Sequence, residues 1–149
     1  ARNKIRTIPI RISDLKLLKH LSFEDNQVVI ITSVMWQMTK LRTLNLSRNR
    51  MKSVPPEFGL FSKSFKLLDL SHCELLSSPP PEIIAEGTSK ILPYLRTLWT
   101  SKTSQALVLN NWGLKSYTCE LLDNFADILV VEVANNHLSS LPDSLFDGM

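Results

Sequence analysis

Apolar residues recur along this chain with a spacing that repeats after 23 or 24 residues. Each copy reads L-x-x-L-x-L-x-x-N/C-x-L, where the L positions hold Leu, Ile, Val, Phe or Met. We call the N/C position the ladder position, and it is occupied by Asn3, Asn26, Asn49, Cys73 and Asn136. A fixed period of this length is the signature of stacked structural repeats. Residues 1–149 are therefore predicted to form one repeat domain of about six full or partial repeats.

The x-L-x-L-x part of each repeat predicts a short strand. Side chains alternate between the two faces of a strand, so Leu44 and Leu46 are expected to point inward while Thr43 and Asn45 face out. One repeat cannot bury its leucines alone, and successive strands should stack in parallel, about 4.8 Å apart. An inward Asn at the ladder position can satisfy amide groups of neighbouring turns.

The second half of the repeats contains a further motif, in which an apolar residue precedes a proline. Examples are Ile5-x-x-Ile8-Pro9, Met51-x-x-Val54-Pro55 and Leu138-x-x-Leu141-Pro142. With the ladder pattern, these segments resemble the leucine-rich-repeat family over nearly the whole chain. The resemblance implies an α/β repeat fold, a curved solenoid with a parallel β-sheet on its concave side and an irregular or helical convex side. It also implies that the domain binds a partner, without naming that partner.

The regular spacing breaks after Cys73, and residues 79–103 are predicted to be an irregular helical insertion. Trp112 takes the next ladder position, and the step from Trp112 to Asn136 is again one period. Apolar residues at mostly helical spacing predict helix between Pro81 and Trp99. Gly87 and Pro93 favour two short helices on the convex side, or a flap beside the solenoid. The insertion either pads the convex surface or contacts a partner, with Trp99 as its anchor.

The candidate partner-binding residues are the outward positions of the predicted strands and the turns after them. A rigid sheet with varied side chains can cover the extended surface that a protein partner needs. The alternative is that this face is only the solvated side of a scaffold. The residues are His20, Ser22, Glu24, Asp25, Thr43, Asn45, Ser47, Arg48, Leu67, Asp69, Ser71, His72, Val108, Asn110, Asn111, Glu132 and Asn135.

Motifs of known enzymes are absent from the sequence. The four glycines form no phosphate-binding loop, and neither H-E-x-x-H nor G-x-S-x-G occurs. The three histidines fall in different repeats, which makes a shared metal doubtful. Cys73 is expected to be an inert thiol inside the ladder rather than a nucleophile. We therefore predict no catalytic residue, no metal, no cofactor and no enzymatic activity.

Charge is divided unevenly between the two halves of the chain. Residues 1–75 hold 13 Lys and Arg against 6 Asp and Glu, whereas residues 76–149 hold 4 against 8. A basic half raises nucleic acid or acidic membrane as a partner. Its basic residues never run longer than two and few aromatic residues lie among them, so nucleic acid is not favoured. No apolar stretch reaches the length of a membrane-spanning helix.

The leading hypothesis is a protein-recognition module that binds another protein through its concave sheet. Two other classes stay open, the regulatory or targeting arm of a larger enzyme and the ligand-binding segment of an extracellular receptor. Asn45-Leu46-Ser47 is a formal glycosylation motif that permits the receptor. Two cysteines in different repeats favour a cytoplasmic or nuclear location. Neither end carries a capping motif, so we expect a longer natural protein, in which neighbouring repeats or subunits would cap the ends.

Overall fold

The structure is a computed structural model that describes residues 2–115 and 127–140. Its strands are short, and every strand pair is parallel. One sheet has the order β1-β2-β3 and a second contains β4 and β5. Parallel pairing is the arrangement that the repeated x-L-x-L-x segments predict. The strands are β1 (His20–Ser22), β2 (Thr43–Asn45), β3 (Leu67–Asp69), β4 (Ala106–Val108) and β5 (Val130–Glu132).

Equal positions of successive repeats lie side by side. Leu44 of β2 pairs with Leu21 on one side and with Leu68 on the other. In the second sheet Leu107 pairs with Val131. The strand register therefore agrees with the period found in the sequence, including the irregular repeat around β4.

The inward leucines and the segments opposite them form one apolar core. Leu44 and Leu46 are fully buried, as are Leu107 and Leu109. The side of the core opposite the first sheet consists of three 3₁₀ helices, and each packs against the next one along the chain. They supply large buried side chains such as that of Phe58. The 3₁₀ helices are Ile10–Asp14, Ser33–Gln37 and Pro56–Leu60.

The predicted asparagine ladder is present, and Asn49 shows its geometry. The side-chain oxygen of Asn49 accepts a hydrogen bond from the backbone N–H of Val28 at 3.0 Å. Its side-chain nitrogen donates to the carbonyl of Phe23 in the preceding repeat at 2.9 Å and to that of Leu46 in its own repeat at 2.9 Å. Asn136 makes the equivalent contacts with the backbone N–H of Trp112 and the carbonyl of Leu109, so a ladder asparagine joins two adjacent turns.

The residue immediately before each ladder position adopts a left-handed backbone conformation. The φ angle of Arg48 is 56°, and that of His72 is 55°. This conformation costs free energy for side chains other than Gly, Asn and Asp. It recurs because the turn after every strand must bend the chain inward. The remaining residues of this set are Arg2, Asp25, Asn111 and Asn135.

The insertion contains two helices, α1 (Pro81–Ile84) and α2 (Thr88–Ser104). Gly87, with a φ of 85°, separates them as the sequence suggests. The expectation of two short helices is wrong for α2, which has 17 residues and continues through Pro93. Pro93 itself is exposed, and the buried Ile91, Tyr94, Leu95 and Leu98 hold the parts of α2 on either side of it against the core.

Helix α2 packs against the 3₁₀ helix Pro56–Leu60 and covers the edge of the first sheet. The guanidinium Nε of Arg96 donates to the carbonyl of Gly59 at 2.9 Å. At the start of α2 the hydroxyl of Thr88 accepts from the backbone N–H of Leu68 at 3.0 Å, where a next strand would otherwise pair. The helix thus takes the place of a strand beside β3 and separates the two sheets along the chain.

Candidate partner-binding surface

The candidate residues lie in two groups, one on each sheet. The first group lies on β1, β2 and β3 and in the turns after them, where outward residues alternate with the partly buried Leu21 and the buried Leu44 and Leu68. The second group follows β4 and β5 and comprises Val108, Asn110, Asn111, Glu132 and Asn135. Helix α2 lies between β3 and β4 in the chain, and no strand joins the two sheets in the described residues. The surface is therefore less continuous than the sequence pattern predicts.

Hydrogen bonds across neighbouring strands hold several of these side chains in place. The Nδ1 atom of His20 lies 2.8 Å from the hydroxyl of Thr43. On the second sheet the Asn110 amide donates to the carboxylate of Glu132 at 2.8 Å. Such contacts reduce the rotamer freedom of the surface before any partner arrives, which lowers the entropic cost of binding.

Ser47 is the one candidate residue that is buried in the structure. Its exposed fraction is 3%, and its hydroxyl donates to Oδ1 of Asn45 at 2.7 Å. Ser71 makes the same contact with Asp69 at 2.7 Å, although Ser71 is exposed. Ser47 is therefore shielded from solvent although its hydroxyl contacts the outward side chain of Asn45.

Three apolar side chains are exposed among the outward strand positions. Leu67 is 50% exposed, Val108 41% and Val130 46%. Exposed apolar groups beside polar ones are the usual anchors of a protein interface, because their burial removes apolar area from water. Val130 was not among the residues that the sequence singled out, although it occupies the same strand position as Leu67.

A groove of about 620 Å³ runs along the turns that follow the first sheet. It is lined by Asp25, Arg48 and His72, the three left-handed turn residues of this sheet. Arg50 and Glu74 lie further along it and were not predicted as candidates. Their signal in the sequence is that each comes directly after a ladder position. The groove carries both charge signs, which suits a polar protein surface.

A second groove, of about 410 Å³, lies between α2 and β4. Its walls include Thr97 and Thr100 of the helix and the candidate residue Val108 of the strand. Trp99, the expected anchor of the insertion, is only partly exposed, and the Lys102 ammonium lies 5.8 Å from its ring centroid. The helix therefore offers a threonine-lined wall rather than a free tryptophan.

The titratable groups of the described residues form no cluster of three or more that could hold a metal ion. Cys73 occupies its ladder position, and its thiol donates to the carbonyl of Leu46 at 3.3 Å. Burial raises the pKa of this thiol above its ordinary value, which opposes formation of the reactive thiolate. Cys119 lies outside the described residues.

Comparison with known proteins agrees with this architecture. The Leucine Rich Repeat family model matches residues 40–61 and 64–85, which contain β2 and β3. The chain is 37% identical over 84 residues to the probable serine/threonine-protein kinase pats1 of Dictyostelium discoideum, covering 53% of this chain and 3% of that protein. It is 28% identical over 138 residues to mouse osteomodulin, covering 91% and 28% respectively. For rat osteomodulin the identity is 28% over 147 residues, which is 97% of this chain and 29% of that protein.

The family match and the asparagine ladder identify leucine-rich repeats in residues 40–61 and 64–85. The chain spans less than a third of the length of each of these curated relatives. Among the residues that the structure describes, no helix is long and apolar enough to cross a membrane.

Proposed function

We propose that this domain binds another protein through the outward side of its strands, as a curved solenoid with the sheet on its concave side, and that it does not catalyse a reaction. The observation that carries the proposal is the exposure of Leu67 on the first sheet and of Val108 and Val130 on the second, among hydrogen-bonded polar side chains. A partner that covers such a surface buries about 800 Å² on each side in a standard interface. The apolar residues supply affinity and the polar residues supply specificity.

The rigidity of the surface supports the same proposal. The strands pair in register, and the turn after each strand is fixed by a ladder residue. A partner would therefore meet a surface that does not need to be ordered on binding, which leaves more of the contact free energy for affinity.

The test compares variants on the outward surface with variants elsewhere. Leu67→Glu and Arg48→Glu should each weaken capture of a protein partner from extracts of the producing cells. Truncating or reversing an interface anchor costs at least about 2 kcal/mol, or roughly thirtyfold in affinity. Val29→Glu and Lys52→Glu are the matched controls, because both are exposed and neither lies on a strand. Equal loss in the control pair would contradict the proposal.

A second candidate is the regulatory or targeting arm of an enzyme. It is supported by the similarity of 84 residues to a probable serine/threonine-protein kinase. A catalytic domain encoded in the same reading frame would favour it.

We also propose an intracellular location, for which the free, partly buried Cys73 thiol is the support. Isolation of the protein with a disulfide at Cys73 would count against that location.

A further inference from the structure

Six basic side chains lie at the edge of the first sheet where its strands begin. All six are exposed. We call this set the basic edge, and it consists of Lys16, Lys19, Lys40, Arg42, Lys63 and Lys66.

Backbone hydrogen bonds place three of these residues, Lys19, Arg42 and Lys66, in one row. The N–H of Arg42 donates to the carbonyl of Lys19 at 2.7 Å, and the N–H of Lys66 donates to the carbonyl of Arg42 at 2.7 Å. Each of the three comes directly before a strand, and neighbouring parallel strands are about 4.8 Å apart. Lys40 precedes β2 by three residues, and Lys63 precedes β3 by four. These two residues lie beside the row and widen it into a patch.

None of the six basic side chains forms an ion pair in the described residues, and the nearby Asp14 pairs with Arg11. Segments 15–22, 38–47 and 61–68 contain neither Asp nor Glu. At the start of the second sheet the corresponding residues are Gln105 and Leu129, with Asp127 nearby. The first sheet therefore has a cluster of basic residues where its strands begin, and the second sheet does not.

Exposed leucines stand among these cations. Leu17 is 81% exposed and Leu15 is 50% exposed, on either side of Lys16. Basic groups together with protruding apolar side chains are the combination that binds an anionic bilayer, since the cations meet the lipid headgroups and the leucines enter the interfacial region.

We propose that the basic edge docks this domain onto an anionic membrane surface. The basic residues form a two-dimensional patch, which matches a planar array of lipid headgroups. Single-stranded nucleic acid is disfavoured because its binding sites use exposed aromatic side chains. Every aromatic residue of the described segments is at least partly buried. With the strand starts at the bilayer, the turns after the strands and the groove along them stay free for a protein partner.

The test uses flotation of the whole 149-residue chain with phosphatidylcholine vesicles that do or do not contain phosphatidylserine. The wild-type chain should float only with the anionic vesicles, and added salt should reduce its binding. Lys40→Glu with Lys63→Glu should lower the partition coefficient at least about twentyfold, because each cation near an anionic surface contributes a factor of about five. Leu17→Ser should weaken the binding while keeping its salt dependence.

Arg6→Glu with Lys52→Glu is the matched control, with the same change of charge. These residues occupy equivalent positions in two repeats, both are exposed, and both lie in the segments that follow the ladder positions. The control pair should bind nearly as well as the wild type, and unfolding curves should show that both double variants are folded. Absence of binding to anionic vesicles at low salt, or equal loss in both double variants, would overturn the proposal. Binding of polyuridylate without binding of vesicles would assign the edge to nucleic acid instead.

Discussion

The side-chain oxygen of Asn49 accepts a hydrogen bond from the backbone N–H of Val28, which lies 21 residues earlier in the chain. The contact is buried, and Asn49 is 5% exposed. Because this one amide connects two repeats, it couples their stabilities, as expected for stacked repeats that are held by their neighbours.

Replacement of Asn49 by alanine should leave the Val28 N–H without its partner and remove one of the hydrogen bonds that the carbonyls of Phe23 and Leu46 accept. We expect a loss of about 1 to 3 kcal/mol in the free energy of unfolding, since buried polar groups that lose their partners retain the full desolvation cost. Denaturant-induced unfolding measures this loss. Asn45→Ala should cost less, because Asn45 bonds only within its own turn, to the N–H and hydroxyl of Ser47. Coincident unfolding curves would contradict the ladder register.

Arg48 should be replaceable by asparagine with a gain in stability. Its φ of 56° is costly for a long side chain, whereas asparagine enters this region readily. Arg48→Asn is expected to raise the free energy of unfolding by about 0.5 to 1 kcal/mol. Arg50→Asn is the control, since Arg50 is equally exposed and has no positive φ. A gain in the control as large as that of Arg48→Asn would show that charge, not backbone conformation, is responsible.

Gly59 should not tolerate a side chain. A Cβ atom at this position would lie 2.3 Å from the backbone nitrogen of Arg96 and 2.8 Å from the carbonyl carbon of Leu95, and neither can move without displacing α2. Gly59→Ala should lower the unfolding free energy by about 1 to 3 kcal/mol, as overpacking does in a filled interior. Calorimetric melting measures the effect. Glu57→Ala in the same 3₁₀ helix should change the melting temperature far less, and equal shifts would argue against close docking of α2.

The thiol of Cys73 should react slowly in the folded protein. Burial raises its pKa, so at neutral pH less thiolate is present than in an unfolded chain. In a Cys119→Ser background, iodoacetamide should modify Cys73 at a low rate that increases with pH and rises sharply in denaturant. The raised pKa also means that ionising the thiol disfavours the folded state, so stability should fall as the pH rises above the ordinary thiol value of 9.0. Fast native labelling at neutral pH would contradict the ladder position of this residue.

Several parts of the fold could be predicted from the sequence because they depend on local periodicity. The alternation around Leu44 and the recurrence of Asn at the ladder position each constrain one repeat in the same way, so the strands and the ladder follow directly. Trp112 was placed at a ladder position by spacing alone, and its backbone N–H does donate to the side-chain oxygen of Asn136 at 3.0 Å. Its ring has a further role that spacing does not show, since it packs against Tyr94 at 5.4 Å between centroids.

The sequence determined the strand positions, the buried leucines and the ladder, because a 23- or 24-residue period repeats one set of local demands. The position of α2, the interruption of the outward surface and the burial of Ser47 do not follow from that period. Those outcomes depend on contacts between residues distant in the chain, such as Thr88 with Leu68 and Arg96 with Gly59. Pro93 shows the physical reason. Its local preference against helix is outweighed by the burial of Ile91, Tyr94 and Leu95, which only the assembled core provides.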